Sequence, residues 1–190
     1  MNDNFVEDEL ELLRSRKRCA ELWDQKVIDA FEIGTFKSLQ QIHYYIFQDI
    51  FPFAGKMREI NISKGNFMFA PFIFLKQTLQ NIDSMPDETF EQIVEKYVEM
   101  NIAHPFREGN GRATRIWLDH MLKNRLGLTV NWANLDKYYY LSAMECSVVN
   151  PAEITALLKK NLTDKIYDRE TFMKGIQKSY EYEGYYLKEV

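Results

Sequence analysis

The sequence predicts a mainly α-helical protein with one small β-hairpin. Apolar residues recur at three- and four-residue intervals along most of the chain, which is the spacing of amphipathic helices. Only residues 58–70 alternate polar and apolar side chains about a turn, as a hairpin does. With 190 residues, 46% of them hydrophobic, the chain is long enough to bury a proper core as a single domain covering residues 1–190.

Seven helices are expected outside the central motif described below. Thr35 is a good N-cap for the second of them, because its hydroxyl can accept a hydrogen bond from a backbone N–H. Pro105 ends the fourth, since the residue before a proline disfavours the helical conformation. The seven helices are expected at about residues 7–23, 35–47, 73–84, 90–103, 134–147, 151–162 and 168–184.

The hairpin is predicted from three consecutive segments. Residues 58–62 alternate in polarity, residues 63–66 have the composition of a turn, and residues 67–70 resume an extended run. An isolated hairpin is only marginally stable in water. This one is therefore expected to pack on the helical body or on a partner.

Residues 104–115 concentrate the groups that a nucleotide site needs. Gly109 and Gly111 flank Asn110, so that consecutive backbone N–H groups can point into one concavity and attract an anion. The apolar pattern that follows predicts a helix ending at Gly127. The glycine turn therefore lies at a helix N-terminus, where a phosphate is stabilised.

Charged side chains in the same segment extend this interpretation. Arg112 and Arg115 are three residues apart, hence on one helical face, and two guanidinium groups indicate more than one phosphate. Glu108 can bind a divalent cation such as Mg²⁺, and His104 can accept a proton near neutral pH. Each feature alone is more often structural, but together they predict attack of a hydroxyl on a nucleotide phosphate.

This string resembles the motif of the Fic family (filamentation induced by cAMP), H-x-F-x-[D/E]-G-N-G-R-x-x-R, at each defined position. The resemblance implies the Fic fold, a helical bundle with a β-hairpin flap over the active site. It also implies a protein adenylyltransferase, which transfers AMP from ATP to a tyrosine, serine or threonine hydroxyl of a target protein. In the Doc branch the position of Gly111 is often lysine, so glycine favours nucleotidyl transfer over phosphoryl transfer.

The resemblance also assigns roles within the motif. His104 would deprotonate the target hydroxyl and Phe106 would anchor the loop in the core. Glu108 would bind Mg²⁺ between the α- and β-phosphates. The residues implied to bind the nucleotide within the motif are Gly109, Asn110, Gly111, Arg112 and Arg115.

Four further candidates for nucleotide binding lie outside the motif. Lys64, at the tip of the flap, could reach the nucleotide. Lys137, Tyr140 and Met144 share one face of the predicted helix at 134–147, which borders the adenine pocket in Fic folds. The alternative is that this face belongs to the core.

The last predicted helix resembles an inhibitory element. Ser179 and Glu183 fit the pattern [S/T]-x-x-x-E-[G/N], with which many Fic proteins inhibit themselves. The resemblance implies that Glu183 pairs with Arg115 and occupies the γ-phosphate position; the alternative is a terminal helix with an incidental glutamate. Tyr180 and Tyr182 would then lie near the active site as candidate self-modification sites.

Composition excludes other classes of site. A net charge of −4 and a pI of about 5.5 give no basic surface for direct nucleic acid binding. Cys19 and Cys146 are too few for a disulfide framework, and three histidines make a zinc site improbable, with His43 expected to be structural. No stretch is long and apolar enough to span a membrane and no signal peptide is recognisable, so a cytoplasmic protein is expected.

The expected organisation is a catalytic core at about residues 35–162 followed by the inhibitory helix at about 168–184. The expected partner is a target protein on the flap at about residues 58–70, and relatives of this compact bacterial kind suggest a type II topoisomerase subunit. Self-association into a homo-oligomer could adjust the inhibition by this helix. Alternatives are phosphoryl, uridylyl or phosphocholine transfer from the same site, or a catalytically silent binding module.

Overall fold

The computed structural model describes residues 3–65 and 67–184, and that part of the chain is mainly α-helical, as predicted. Eight α-helices are present in it. They are α1 Asp3–Asp24, α2 Phe36–Phe47, α3 Phe72–Asp83, α4 Phe90–Ala103, α5 Asn110–Leu126, α6 Lys137–Cys146, α7 Ala152–Lys160 and α8 Arg169–Glu183.

Four short strands form two antiparallel pairs. In the flap, β1 Ser63–Lys64 pairs with β2 Phe67–Met68, with Ser63 opposite Met68. The second pair, β3 Thr129–Val130 with β4 Leu162–Thr163, was not predicted. Strands of two residues carry no alternation in polarity, so the sequence could not indicate them.

Helix α5 lies at the centre of the bundle and packs against α2, α4 and α8. Trp117 is fully buried in this core, and its indole N–H donates to the Thr35 carbonyl at 3.1 Å and to the Ser38 hydroxyl at 3.1 Å. The buried side of α5 thereby fixes the start of α2. Because α5 begins inside the motif, the same packing positions the motif.

The helix ends follow local chemistry. The Thr35 hydroxyl accepts from the Ser38 N–H, as expected of an N-cap, and α5 stops at Gly127, where φ is 66°. Helix α4 begins with a capping box between Thr89 and Gln92. Asp168 caps α8 by accepting from the Thr171 N–H at 3.0 Å.

The flap is shorter than predicted, because residues 58–62 do not form a strand. The alternation at Arg58 has a different cause: its side chain turns into the protein, and its guanidinium donates to the Ile60 and Ala70 carbonyls. These carbonyls are thus bonded to a side chain and not to a neighbouring strand. Asn66, expected in the turn, lies outside the described residues.

Among the described residues, no helix is long and apolar enough to cross a membrane.

Candidate active site

A cavity of about 830 Å³ opens between the flap, the motif and the helices α6 and α8. The flap forms one wall and α6 the opposite one. The motif residues that line the cavity are His104, Arg107, Glu108, Asn110, Gly111 and Arg115. The motif therefore faces a space large enough for a small ligand, since such sites have volumes of about 300–1,000 Å³.

His104 stands where α4 ends, with its backbone in the left-handed region at φ 48° and ψ 64°. Its ring stacks on Phe69 of the flap, with 3.7 Å between ring centroids. Its Nδ1 lies 3.3 Å from the Asn101 carbonyl oxygen. Because a carbonyl only accepts, Nδ1 carries the proton in this contact and Nε2 keeps its lone pair.

Burial lowers the pKa of His104 from its ordinary value of 6.5 to about 4. The Asn101 carbonyl opposes this shift, while the positive charges of Arg58 and Lys64 add to it. A histidine with so low a pKa is neutral at pH 7. His104 can therefore accept a proton.

Two side chains fix the motif loop by bonding to its backbone. The Asn110 amide accepts from the Phe106 N–H at 2.9 Å and donates to the Phe106 carbonyl at 2.8 Å. His43, buried as expected, contacts the Glu108 carbonyl oxygen through Nε2 at 2.8 Å and stacks on Phe106. Asn110 thus contributes its side chain to fixing the loop.

Gly109 requires its glycine. It is the N-cap of α5 with φ 76°, and a Cβ there would lie 2.5 Å from Cε2 of Phe47. The Ala113 N–H donates to the Gly109 carbonyl. The N–H groups of residues 110 and 111 lie before that bond, at the N-terminal end of the helix, where backbone N–H groups have no partner within the helix.

Glu108 is exposed and lines the cavity. One of its carboxylate oxygens accepts from the Gly109 N–H at 3.0 Å. No group of three or more acidic, histidine or cysteine side chains that could hold a metal ion occurs in the described part of the chain. A single carboxylate beside a phosphate site fits Mg²⁺, which takes its remaining ligands from phosphate oxygens and water.

Arg112 lies between two carboxylates from distant parts of the chain. Its NH2 is 2.8 Å from Oε1 of Glu11 in α1, and its Nε is 2.7 Å from Oε2 of Glu183 in α8. The rings of Phe47 and Tyr180 lie over the guanidinium carbon at 4.7 and 5.3 Å. Burial works to lower the pKa of Arg112, but the neighbouring charges, led by Glu183, raise it, so the group is fully charged.

Arg115 makes the contact with α8 that the resemblance implied. Its Nε donates to the Ser179 hydroxyl at 2.6 Å, and its NH2 donates to Oε1 of Glu183 at 3.2 Å. Glu183 therefore binds both motif arginines at once. The resemblance implied only the pair with Arg115.

The two tyrosines expected as self-modification sites are buried in the docked helix. Tyr180 is 0% exposed and its hydroxyl lies 2.6 Å from the Ser15 hydroxyl. Tyr182 is 5% exposed, donates to the Leu135 carbonyl at 3.2 Å and stacks on Tyr140. In this arrangement neither hydroxyl is accessible to a phosphate, which argues against modification while α8 is docked.

Among the four candidates outside the motif, Lys64, Tyr140 and Met144 line the cavity. Tyr140 is nevertheless only 2% exposed, and its hydroxyl contacts that of Tyr97. Lys137 is absent from the lining, because the start of α6 lies away from the cavity. Lys137 is the first residue of α6, one helical turn before Tyr140, and nucleotide binding by this face of the helix stays a prediction.

Sequence reasoning missed the contribution of α1. Glu11 and Ser15 stand one helical turn apart, and Ser15 lies with Cys19 and Leu22 on the buried side of the helix. Polar residues on an otherwise apolar stripe were the available indication. They could have been read as contacts to buried polar groups elsewhere, although not as contacts to Arg112 and Tyr180.

Known proteins resemble this chain in sequence and fold. Residues 34–122 match the Fic/DOC family. The "Probable protein adenylyltransferase Fic" of Escherichia coli (strain K12) is 29% identical over 130 residues, which cover 63% of this chain and 64% of that protein. "Protein adenylyltransferase VbhT" of Bartonella schoenbuchensis is 30% identical over 164 residues, covering 75% of this chain and 34% of that protein.

Among solved structures, the BepC protein of Bartonella tribocorum with bound AMPPNP has a TM-score of 0.67 and 18% identity. The match covers 86% of this chain and 89% of that one. The chain spans less than two thirds of the length of each of these two sequence relatives, whereas the fold agrees over most of this chain and of BepC. With the motif at 104–115 facing one cavity, residues 34–122 form a domain that matches the Fic/DOC family, and the described part of the chain has a Fic fold.

Proposed function

We propose that the protein is an ATP-dependent protein adenylyltransferase that is inhibited by its own C-terminal helix. The observation that carries the proposal is the neutral His104 beside the open N-terminus of α5 in one cavity. The names of the two relatives and the AMPPNP bound in the BepC structure support it.

In the proposed reaction, Nε2 of His104 takes the proton of a target tyrosine, serine or threonine hydroxyl. The freed oxygen forms a bond to the α-phosphorus of ATP as the bond from that phosphorus to the bridging oxygen breaks. The products are the AMP-modified protein and pyrophosphate. The Nδ1 contact to Asn101 keeps the lone pair of the ring on Nε2, which is what a general base requires.

Phosphate binding would fall to α5. Its open N–H groups suit an anion, and Arg112 and Arg115 suit the β- and γ-phosphates. Glu108 would bind Mg²⁺, which would neutralise phosphate charge when present. Lys64, Tyr140 and Met144 line the same cavity and would contact the nucleotide, whereas Lys137 is absent from the lining.

The environment of Gly111 supports nucleotidyl over phosphoryl transfer. A Cβ at this position would lie 3.1 Å from NH1 of Arg115 and 3.3 Å from Oε1 of Glu183. A longer side chain would therefore fill the space beside Arg115. Glycine leaves that space for the distal phosphates.

Glu183 supports the inhibitory role of α8. Its carboxylate pairs with both arginines, so phosphate oxygens would have to displace it before they could bind these guanidinium groups. Since a carboxylate and a phosphate compete for the same donors, ATP would bind productively only when Glu183 withdraws. The proposal includes a single domain, with its catalytic core at about residues 35–162 and its inhibitory helix at about residues 168–184.

The target would dock on the flap by strand addition, in which main-chain hydrogen bonds give the register. A type II topoisomerase subunit is the first target to test, and a cytoplasmic location, where ATP is available, fits the reaction.

Parallel reactions with ATP labelled at the α- or the γ-phosphate test the function. A Glu183→Gly variant and a cell lysate should give protein labelled from the α position. The matched His104→Ala, Glu183→Gly variant should transfer at least about 100-fold less, because a general base contributes roughly 10²–10⁴-fold.

The other outcomes separate the alternatives. Label from the γ position alone contradicts AMP transfer and indicates phosphoryl transfer. Label from UTP but not from ATP indicates uridylyl transfer. No label from any nucleotide or from CDP-choline identifies a silent binding module.

A further inference from the structure

Arg58 is a buried arginine whose side-chain hydrogen bonds all end on backbone carbonyls. It is 1% exposed. Its Nε donates to the His104 carbonyl at 2.7 Å, and its NH2 donates to the Ala103 carbonyl at 3.1 Å and to the Ala70 carbonyl. Its NH1 donates to the Ile60 carbonyl at 2.6 Å.

These four carbonyls belong to three separate places in the chain. Ile60 lies where the chain enters the flap, and Ala70 lies where it leaves the flap for α3. Ala103 and His104 form the end of α4. One guanidinium thus joins both ends of the flap to the backbone that carries the base.

The backbone at His104 needs such support. Its left-handed φ of 48° is unfavourable for a residue other than glycine. The Arg58 N–H also donates to the Pro105 carbonyl at 2.8 Å. Arg58 therefore donates hydrogen bonds to the carbonyls of both His104 and Pro105.

The charge of Arg58 acts on the same residue. None of the ion pairs in the described part of the chain includes Arg58, so its charge is offset by carbonyl dipoles alone. The groups that face the His104 ring are the Asn101 carbonyl, the Phe69 ring and the charges of Arg58 and Lys64. Two nearby positive charges disfavour a third on the imidazole.

We propose that Arg58 is the positioning residue of the active site: it holds the two ends of the flap in register with His104 and places its positive charge beside the imidazole. The inference rests on the proposed function, since it assigns Arg58 to the same transfer reaction. It adds a link between the surface that would receive the target and the base that would act on it.

The test uses the full chain carrying Glu183→Gly, with Arg58→Lys, Arg58→Gln or, as a matched control, Lys56→Gln. Lys56 is exposed and two residues away. Arg58→Lys keeps the charge but cannot reach four carbonyls. It should lower kcat about 100-fold, as a 1 Å misplacement does, while KM for ATP changes less than about twofold because Arg58 contacts no phosphate-binding residue. Lys56→Gln should leave both values unchanged.

Titration of the histidines by NMR gives a readout that needs no transfer activity. The chain has three histidines, and His43 and His120 serve as internal references. The pKa of His104 should rise in Arg58→Gln and rise less in Arg58→Lys, while the reference values stay in place. Wild-type kcat in Arg58→Lys, or an unchanged His104 pKa in Arg58→Gln, would overturn the inference.

The reference histidines and thermal unfolding distinguish a loss of folding from a change confined to His104. If Arg58→Gln unfolds, Arg58→Lys decides the outcome through kcat and KM. If the parent Glu183→Gly protein transfers nothing, the proposed function fails, and the titration still shows whether Arg58 controls His104.

Discussion

The two sides of the cavity are held by different kinds of bond. On the His104 side, Arg58, His43 and Asn110 each bond to the backbone of the motif or of the segments beside it. These partners are part of the folded core. A ligand cannot replace them without disrupting the fold.

On the other side, the partners of the arginines are themselves anions or hydroxyls on helices near the chain ends. Arg112 is bound by Glu11 and Glu183, and Arg115 by Ser179 and Glu183. A phosphate offers the same acceptor chemistry as a carboxylate. The bonds that hold the His104 side are therefore part of the folded core, whereas a ligand can replace the partners of Arg112 and Arg115. Regulation is expected to act on these arginines.

Asn110→Asp should disrupt the bonds that hold the motif loop on the His104 side of the cavity, and it should have the largest effect on the transfer rate. The carboxylate can still accept from the Phe106 N–H, but it cannot donate to the Phe106 carbonyl and repels it. In the Glu183→Gly background we expect kcat to fall about 100-fold, the cost of a 1 Å misplacement at a reacting centre. Initial rates of AMP transfer measure this.

Asn124→Asp is its control, because Asn124 lies on the same helix and makes the same type of bond, to the His120 carbonyl, far from the motif. Equal rates for the two variants would show that Asn110 does not hold the catalytic loop.

Glu183→Gly should free Arg112 and Arg115 to bind phosphate and so raise the transfer rate. It removes one carboxylate from two arginines, and a coupling of roughly 2 kcal/mol corresponds to about 30-fold more transfer than in the wild type. Glu181→Gly is the matched control, since Glu181 lies on the same helix but pairs with Lys178. A gain of the same size in both variants would assign the effect to fraying of α8 and not to the arginines.

The same contrast explains what the sequence could predict. Helix positions and the motif follow from local spacing, and the resemblance of Ser179 and Glu183 to an inhibitory pattern also rests on residues close together in sequence. The bonds of Glu11 to Arg112 and of Arg58 to Ala70 and His104 join residues far apart in sequence. Only the packed fold brings such residues together, so no local pattern marks them.

The polarity pattern also gave a wrong prediction of a strand where one buried polar side chain lies in an irregular segment. The alternation at residues 58–62 reflects an inward-facing Arg58, and no strand forms there. Likewise, Tyr180 and Tyr182 were expected near the site and are there, but burial of their hydroxyls is visible only in the packed helix.

Tyr180→Phe should weaken the docking of α8 to a smaller degree. It removes one hydroxyl, and Ser15 remains satisfied because its own hydroxyl also donates to the Glu11 carbonyl at 2.7 Å. A buried hydrogen bond contributes about 1 kcal/mol, so transfer in the otherwise wild-type chain should rise about fivefold. Tyr138→Phe is the control, because Tyr138 is 77% exposed. No gain over this control would place the docking energy elsewhere on α8.

The response to pH should be the smallest effect near neutrality. With a His104 pKa of about 4, the imidazole is neutral from pH 8 down to pH 6, and transfer by the Glu183→Gly variant should change less than about 1.1-fold. An ordinary pKa of 6.5 would instead reduce the rate about fourfold at pH 6. Activity should be lost as the pH falls through about 4, because protonation removes the lone pair.

Stability must be followed in the same samples, since burial also lowers the pKa of His43 and of His120 to about 4. A histidine whose pKa is lower in the folded state contributes stability that is complete above pH 6.5 and declines as the pH falls from 6.5 to about 4. Circular dichroism at each pH gives the folded fraction by which the rate is divided. A corrected rate with its midpoint near pH 6.5 would mean that His104 is not held neutral by burial and the charge of Arg58, and that the fixed side of the cavity does not prepare the base in advance.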